Sequence, residues 1–148
     1  MKLWVSLYSM TWILFIEFLL VMVYRGSSVL VYLHTILGVA VVVIAFYNFS
    51  GIRNTSIAGR VKRTAQVCFY LSIAIAVLGF PLLLDVGREF VVPLIDLSIY
   101  RLILVVHLII ALAMITQAAA VAIAHDMWEN HEFSEETQPG SVPPMPKP

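Results

Sequence analysis

The chain of 148 residues has a single cysteine, Cys68, set in an apolar run. No disulfide can form within one chain, and no Cys-rich metal motif is available. Charge is also scarce. Asp, Glu, Lys and Arg make up 12% of the residues, against about a quarter in a soluble domain. A chain this poor in charge has no polar surface to turn to water, so its surface faces lipid. The sequence holds no Ser/His/Asp set, no glycine-rich phosphate loop and no CxxC. The one basic cluster is small and sits between apolar runs, which argues against nucleic acid as a partner. Net charge is zero, with nine basic and nine acidic residues.

What remains is apolar. Hydrophobic residues make up 61% of the chain, and the mean hydropathy is +0.94. A bilayer core of about 30 Å needs about 20 apolar residues at 1.5 Å each. Four segments meet this: Leu3–Tyr24, Val29–Tyr47, Ala65–Leu84 and Leu102–Ala124. Each must satisfy its own backbone in lipid, so each is expected to be a helix, including the β-branched run Val39–Ile44. The first run is too long for a signal-peptide core and lacks a small-x-small cleavage pattern, so it reads as a retained helix. Pro81, near the end of the third segment, is expected to loosen only the last turn. The expected fold is all-α, a four-helix transmembrane up-and-down bundle over residues 1–125. The tail 126–148, acidic and then proline-rich, reads as a disordered cytoplasmic segment.

Basic residues set the expected orientation. Arg53, Arg60, Lys62 and Arg63 share one connection without an acid, and Lys2 and Lys147 fall on the same side. Arg25, Arg88 and Arg101 lie opposite, among Asp85, Glu89 and Asp96. Both termini are therefore expected in the cytoplasm of a multi-pass cell-membrane protein. The basic connection can also touch anionic headgroups. Tyr24, Tyr32 and Tyr100 at one boundary, and Tyr47 and Trp128 at the other, read as interfacial anchors. The segment Phe90–Leu97 is too short to span and reads as an interfacial lid.

Ionisable side chains within a span are costly and mark function. Three stand out: Glu17, His34 and His107. His34 follows Ser28 by six residues and His107 follows Arg101 by six, which puts each about 9 Å below its boundary. Glu17, seven residues before Tyr24, lies at about 10 Å by the same rise. Helices two and four of an up-and-down bundle are diagonal neighbours, so two histidines at one depth can face each other and ligate one haem iron. Small residues follow on the same faces: Gly38 below His34, Ala111 below His107, and Cys68, Ser72 and Gly79 on helix three. Arg101 or Arg25 at the rim can pair with haem propionates. Two other readings use the same residues. The histidines can bond across helices for structure alone, or Glu17, His34 and His107 can form a two-His-one-carboxylate metal site. Glu17 can also be a neutral buried acid, a proton or quinol contact, or a bond to a partner helix. His125 and His131 are expected to be solvated, and Gln66 and Gln117 to bond between helices.

On the segments His34-Thr35-Ile36-Leu37-Gly38 and His107-Leu108-Ile109-Ile110-Ala111 the chain resembles the four-helix membrane cytochromes of the cytochrome b561-like kind. The resemblance covers Leu3–His125. It implies His34 and His107 as axial ligands of haem b, and electron transfer linked to quinol or to a larger respiratory complex. The chain departs from that pattern in having two histidines within its spans, so a second haem lacks ligands. It also carries Glu17 where helix one would carry a histidine. Outside the resemblance stands a haem-free accessory subunit of a membrane oxidase or oxygenase, held in a complex or a homo-oligomer through the same polar residues.

Overall fold

The computed structural model describes residues 2–23 and 26–136, with side chains to residue 131. Tyr24, Arg25 and the proline-rich segment lie outside the described residues. Four helices dominate: α1 (Leu3–Val23), α2 (Ser28–Arg53), α3 (Gly59–Leu83) and α4 (Ile99–Glu136). All four are long and apolar enough to cross a membrane. Contacts run α1 to α2, α2 to α3, α3 to α4 and back from α4 to α1. The helices thus close a ring in chain order, with α2 diagonal to α4. The fold is an all-α four-helix bundle.

The helix ends differ from the apolar limits in the sequence. Helix α2 runs on past Tyr47 to Arg53, and α3 begins at Gly59, so the basic residues are helical and the turn is short. Lys62 closes that turn. Its ammonium donates to the carbonyls of Arg53, at 3.3 Å, and Thr55, at 2.6 Å, satisfying acceptors that a helix end leaves open. Helix α4 is longer still, 38 residues. The tail expected to begin at Asp126 is helical through Glu136, because no glycine or proline interrupts that stretch and Trp128 packs on the bundle.

At the opposite end the lid is a small hairpin, an element absent from the sequence-based expectation. Strands β1 (Val91–Val92) and β2 (Leu97–Ser98) pair antiparallel, Val91 to Ser98 and Val92 to Leu97. The loop folds on the Val92 carbonyl, which accepts from the amides of Ile95 and Asp96 at 3.2 and 3.0 Å. Asp96 closes it at φ 50°, the left-handed position that ends such loops and that Asp tolerates. Pro81 sits in the last turn of α3, which stops two residues later. A pair of bonds ends that helix: Val86 N–H to Pro81 O at 2.9 Å, and Asp85 N–H to Leu82 O at 3.2 Å. Asp85 takes the left-handed residue of this motif, φ 54°.

Packing is unequal along the bundle. One cluster joins Met10, Leu14, Val41, Ala45, Cys68, Met114 and Ala118 at mid-height. A second joins Leu7, Ile52, Ile57, Ala65, Val121 and Ala122 near the basic turn. Beyond Leu14, Val41, Ser72 and Met114, toward the hairpin, the described residues bury only Glu17. The basic half is a packed core, and the hairpin half is open. At the closed end Gly51 lets α1 approach: a Cβ there would lie 2.7 Å from Leu3 Cδ1. Gly51→Ala should be near neutral, since the Leu3 methyl can turn aside and helix propensity gains about 1 kcal/mol. Gly51→Val should cost about 1–3 kcal/mol through overpacking. Thermal unfolding of the two variants in detergent checks the contrast.

Candidate cofactor site in the open half

His34 extends from α2 and His107 from the diagonal helix α4. Their ring centres are 6.3 Å apart and the planes are tilted by 59°. Both point into the bundle. Glu17, on α1, is 7% exposed, and its Oε2 is paired with His34 Nδ1. That contact fixes the His34 ring and turns its Nε2 edge away from α1, as an acceptor on one ring nitrogen does for the other. Beside this pair, Glu17 Oε1 and His107 Nδ1 are among the buried polar atoms without a hydrogen-bond partner in the described residues, although the His107 ring also interacts with the Ile75 backbone. Unpartnered buried polar atoms are expensive, and here two of them face the least packed part of the bundle.

The surrounding residues are small. A Cβ on Gly79 of α3 would lie 3.4 Å from His107 Cε1, while one on Gly38 would meet nothing within 4 Å. Thus α3 lies against the His107 ring, and the flank below His34 is open. The His34 side chain is itself 35% exposed, so the site is reachable from the side.

Two imidazoles on one iron, bonded at about 2 Å, put their ring centres about 6 Å apart, since each centre lies about 1 Å behind its nitrogen. The observed separation agrees. A tilt between rings is compatible with a shared N–Fe–N axis, because each ring can turn about that axis. The spacing of the two rings is compatible with two imidazoles on one iron.

The three-ligand alternative does not assemble. Among the described residues no three His, Cys, Asp or Glu side chains converge as a metal-ion site, and the Glu17 oxygen meets His34 rather than a shared point. Six residues turn a helix by roughly 600°, so Arg101 lies about 120° around α4 from His107. It lines a cleft beside the hairpin. Arg25, the other rim candidate, lies outside the described residues.

His125, expected to be solvated, is 4% exposed. It lies 3.7 Å from Glu129 and its ring centre is 5.5 Å from that of Trp128. Its spacing from Ala118, Val121 and Ala122 was the available signal, since all four share one helical face. Asn48, buried on the face of Val41 and Ala45, donates to Met10 Sδ at 3.6 Å. Gln66 bonds within its own helix, to Tyr70 at 3.2 Å, rather than to a neighbour.

No protein-family profile, curated protein or solved structure matches this chain.

Proposed function

We propose that the chain is a membrane b-type cytochrome, an electron carrier that holds one haem between His34 and His107 in the hairpin half of the bundle. The observation that carries this reading is the pair of inward-facing imidazoles on diagonal helices, 6.3 Å between ring centres, in a half that buries almost nothing else. The haem, when bound, supplies one-electron oxidation and reduction. The protein supplies the rest. Glu17 holds His34 by Nδ1 and leaves Nε2 as the ligand nitrogen. Gly38, Ala111 and Gly79 keep bulk away from the two rings. The packed clusters below hold α2 and α4 at the spacing the rings need. The electron donor is a quinol or a larger respiratory complex reached through the lipid. The test is optical: the purified protein with haem should show a Soret band that shifts on reduction, and a colourless protein that takes up no added haem would overturn the reading.

One observation favours a second reading. Glu17 Oε1 lacks a hydrogen-bond partner among the described residues, and a helix of a partner protein seated in the open half would supply one. The chain would then be a haem-free accessory subunit, stable only in its complex.

The orientation follows from the basic turn. It places both termini in the cytoplasm of a cell-membrane protein, with the haem nearer the outer face. In a Cys68→Ala background, Ser56→Cys should react with an impermeant thiol reagent only in opened cells, and Glu89→Cys in intact cells. The reverse pattern would invert the assignment.

A further inference from the structure

The hairpin and the start of α4 border an open cleft of ≈ 530 Å³, lined by Arg88, Asp96, Tyr100 and Arg101 together with the apolar Val91 and Leu104. The charges are not equivalent. Arg88 is held by Asp85 at 2.8 Å and lies over the Tyr100 ring at 5.0 Å. The guanidinium of Arg101 and the carboxylate of Asp96 carry no ion pair or side-chain hydrogen bond among the described residues, not even with each other. Arg101 also stands in the first turn of α4, where the helix dipole adds positive potential. One cleft thus offers one cation and one anion, both unused.

The surroundings say where the ligand comes from. Phe90 is 70% exposed, Val91 53% and Leu94 92%. Side chains this apolar on a hairpin tip belong at a lipid interface rather than in water. Val91 belongs to both this tip and the cleft lining, and Leu104, also in the lining, lies further along α4 toward the acyl region.

We propose that this cleft binds the headgroup of a zwitterionic phospholipid with a primary ammonium, of the phosphatidylethanolamine type. Arg101 takes the phosphate oxygens and Asp96 takes the ammonium. Val91 and Leu104 cover the glycerol and the start of the acyl chains. A choline headgroup offers no N–H to Asp96, and a glycerol headgroup offers no cation. The site therefore selects by the ammonium and holds by the phosphate. It is independent of the histidine pair and of any haem.

Delipidated full-length protein in a neutral detergent would be titrated with phosphatidylethanolamine, phosphatidylcholine or phosphatidylglycerol and read by native mass spectrometry. Charge-assisted bonds of this kind set the expected differences at about tenfold. One phosphatidylethanolamine should bind at about tenfold lower concentration than either other lipid. Asp96→Asn should erase the preference over phosphatidylcholine while keeping basal binding. Arg101→Gln should weaken both lipids about tenfold, and Arg101→Lys should restore part of the loss, which separates the charge from any folding defect. Arg60→Gln with Arg63→Gln, at the other end, should leave the preference unchanged. Equal binding of all three lipids, an unchanged preference in Asp96→Asn, or unchanged affinity for both lipids in Arg101→Gln would overturn the site. Displacement of the lipid by soluble phosphoethanolamine at equal concentration would overturn the lipid assignment in favour of a water-borne zwitterion.

Discussion

Replacing His107 with alanine is expected to abolish haem retention. A haem held between His34 and His107 would lose one of its two protein ligands, and no other described side chain nearby would replace it. The next sulfur or nitrogen along that face of α4 is Met114, two turns away and fully buried in the mid-height core. Cys68 is buried at the same level. Neither can reach the iron without dismantling the packed half. The cavity left by alanine also adjoins Gly79, so two small residues would face each other and the site would loosen further. His34→Ala should give the same loss by a second route, since it removes a ligand and leaves Glu17 buried without its partner. The ratio of haem to protein, with the Soret band before and after reduction, measures both. Secondary structure should survive, because neither histidine belongs to the two apolar clusters. A Soret band unchanged in His107→Ala would remove that residue from the site. Loss of co-purification with a membrane partner, in a protein colourless throughout, would instead support the accessory-subunit reading.

The bundle and the histidine pair were readable in the sequence for one reason: membrane helices have a fixed rise, so counting residues measures depth. The counts from Ser28 and Arg101 placed His34 and His107 at one level, and chain order made their helices diagonal. Depth is only one coordinate, however. Residue counting puts Arg101 at the rim above His107, while its rotation on α4 brings it into the cleft beside the hairpin. The helix ends differ from the apolar limits for a different reason. Hydropathy marks where a segment stops being apolar, not where it stops being helical. Helix α2 therefore outruns Tyr47, and α4 outruns His125 into an acidic stretch with no breaker. The acidic neighbours of His125 suggest a solvated side chain, but the stripe Ala118, Val121, Ala122 carries it inside. The hairpin had no signature beyond an apolar segment around Pro93. The openness of the upper half was legible only as a run of small residues, which equally suits close helix packing; coordinates separate the two.

Glu17 supplies the second large effect, and its two replacements should differ. The carboxylate is paired with His34 Nδ1. A ligand histidine with such an acceptor is a stronger donor to the metal and is held in one orientation. Glu17→Leu removes the acceptor, leaves a buried N–H unpaired and frees the ring to rotate. Loss of such a partner typically costs 10–100-fold in affinity, so haem binding should weaken by about that factor. Glu17→Gln keeps an acceptor oxygen at similar reach but removes the negative charge. Haem should therefore stay, while the reduced iron, with one negative charge fewer beside it, becomes easier to form. The midpoint potential should rise by about 60 mV, the one-electron equivalent of about 1.4 kcal/mol. Redox titration of the Soret shift gives the potential, and haem titration of the apoprotein gives the affinity. The two readouts separate a positioning role from a structural one. If Glu17 only joins α1 to α2, both variants should lower thermal stability and leave the potential where it was. A raised potential in Glu17→Gln, with affinity lost only in Glu17→Leu, ties the buried carboxylate to the histidine it touches.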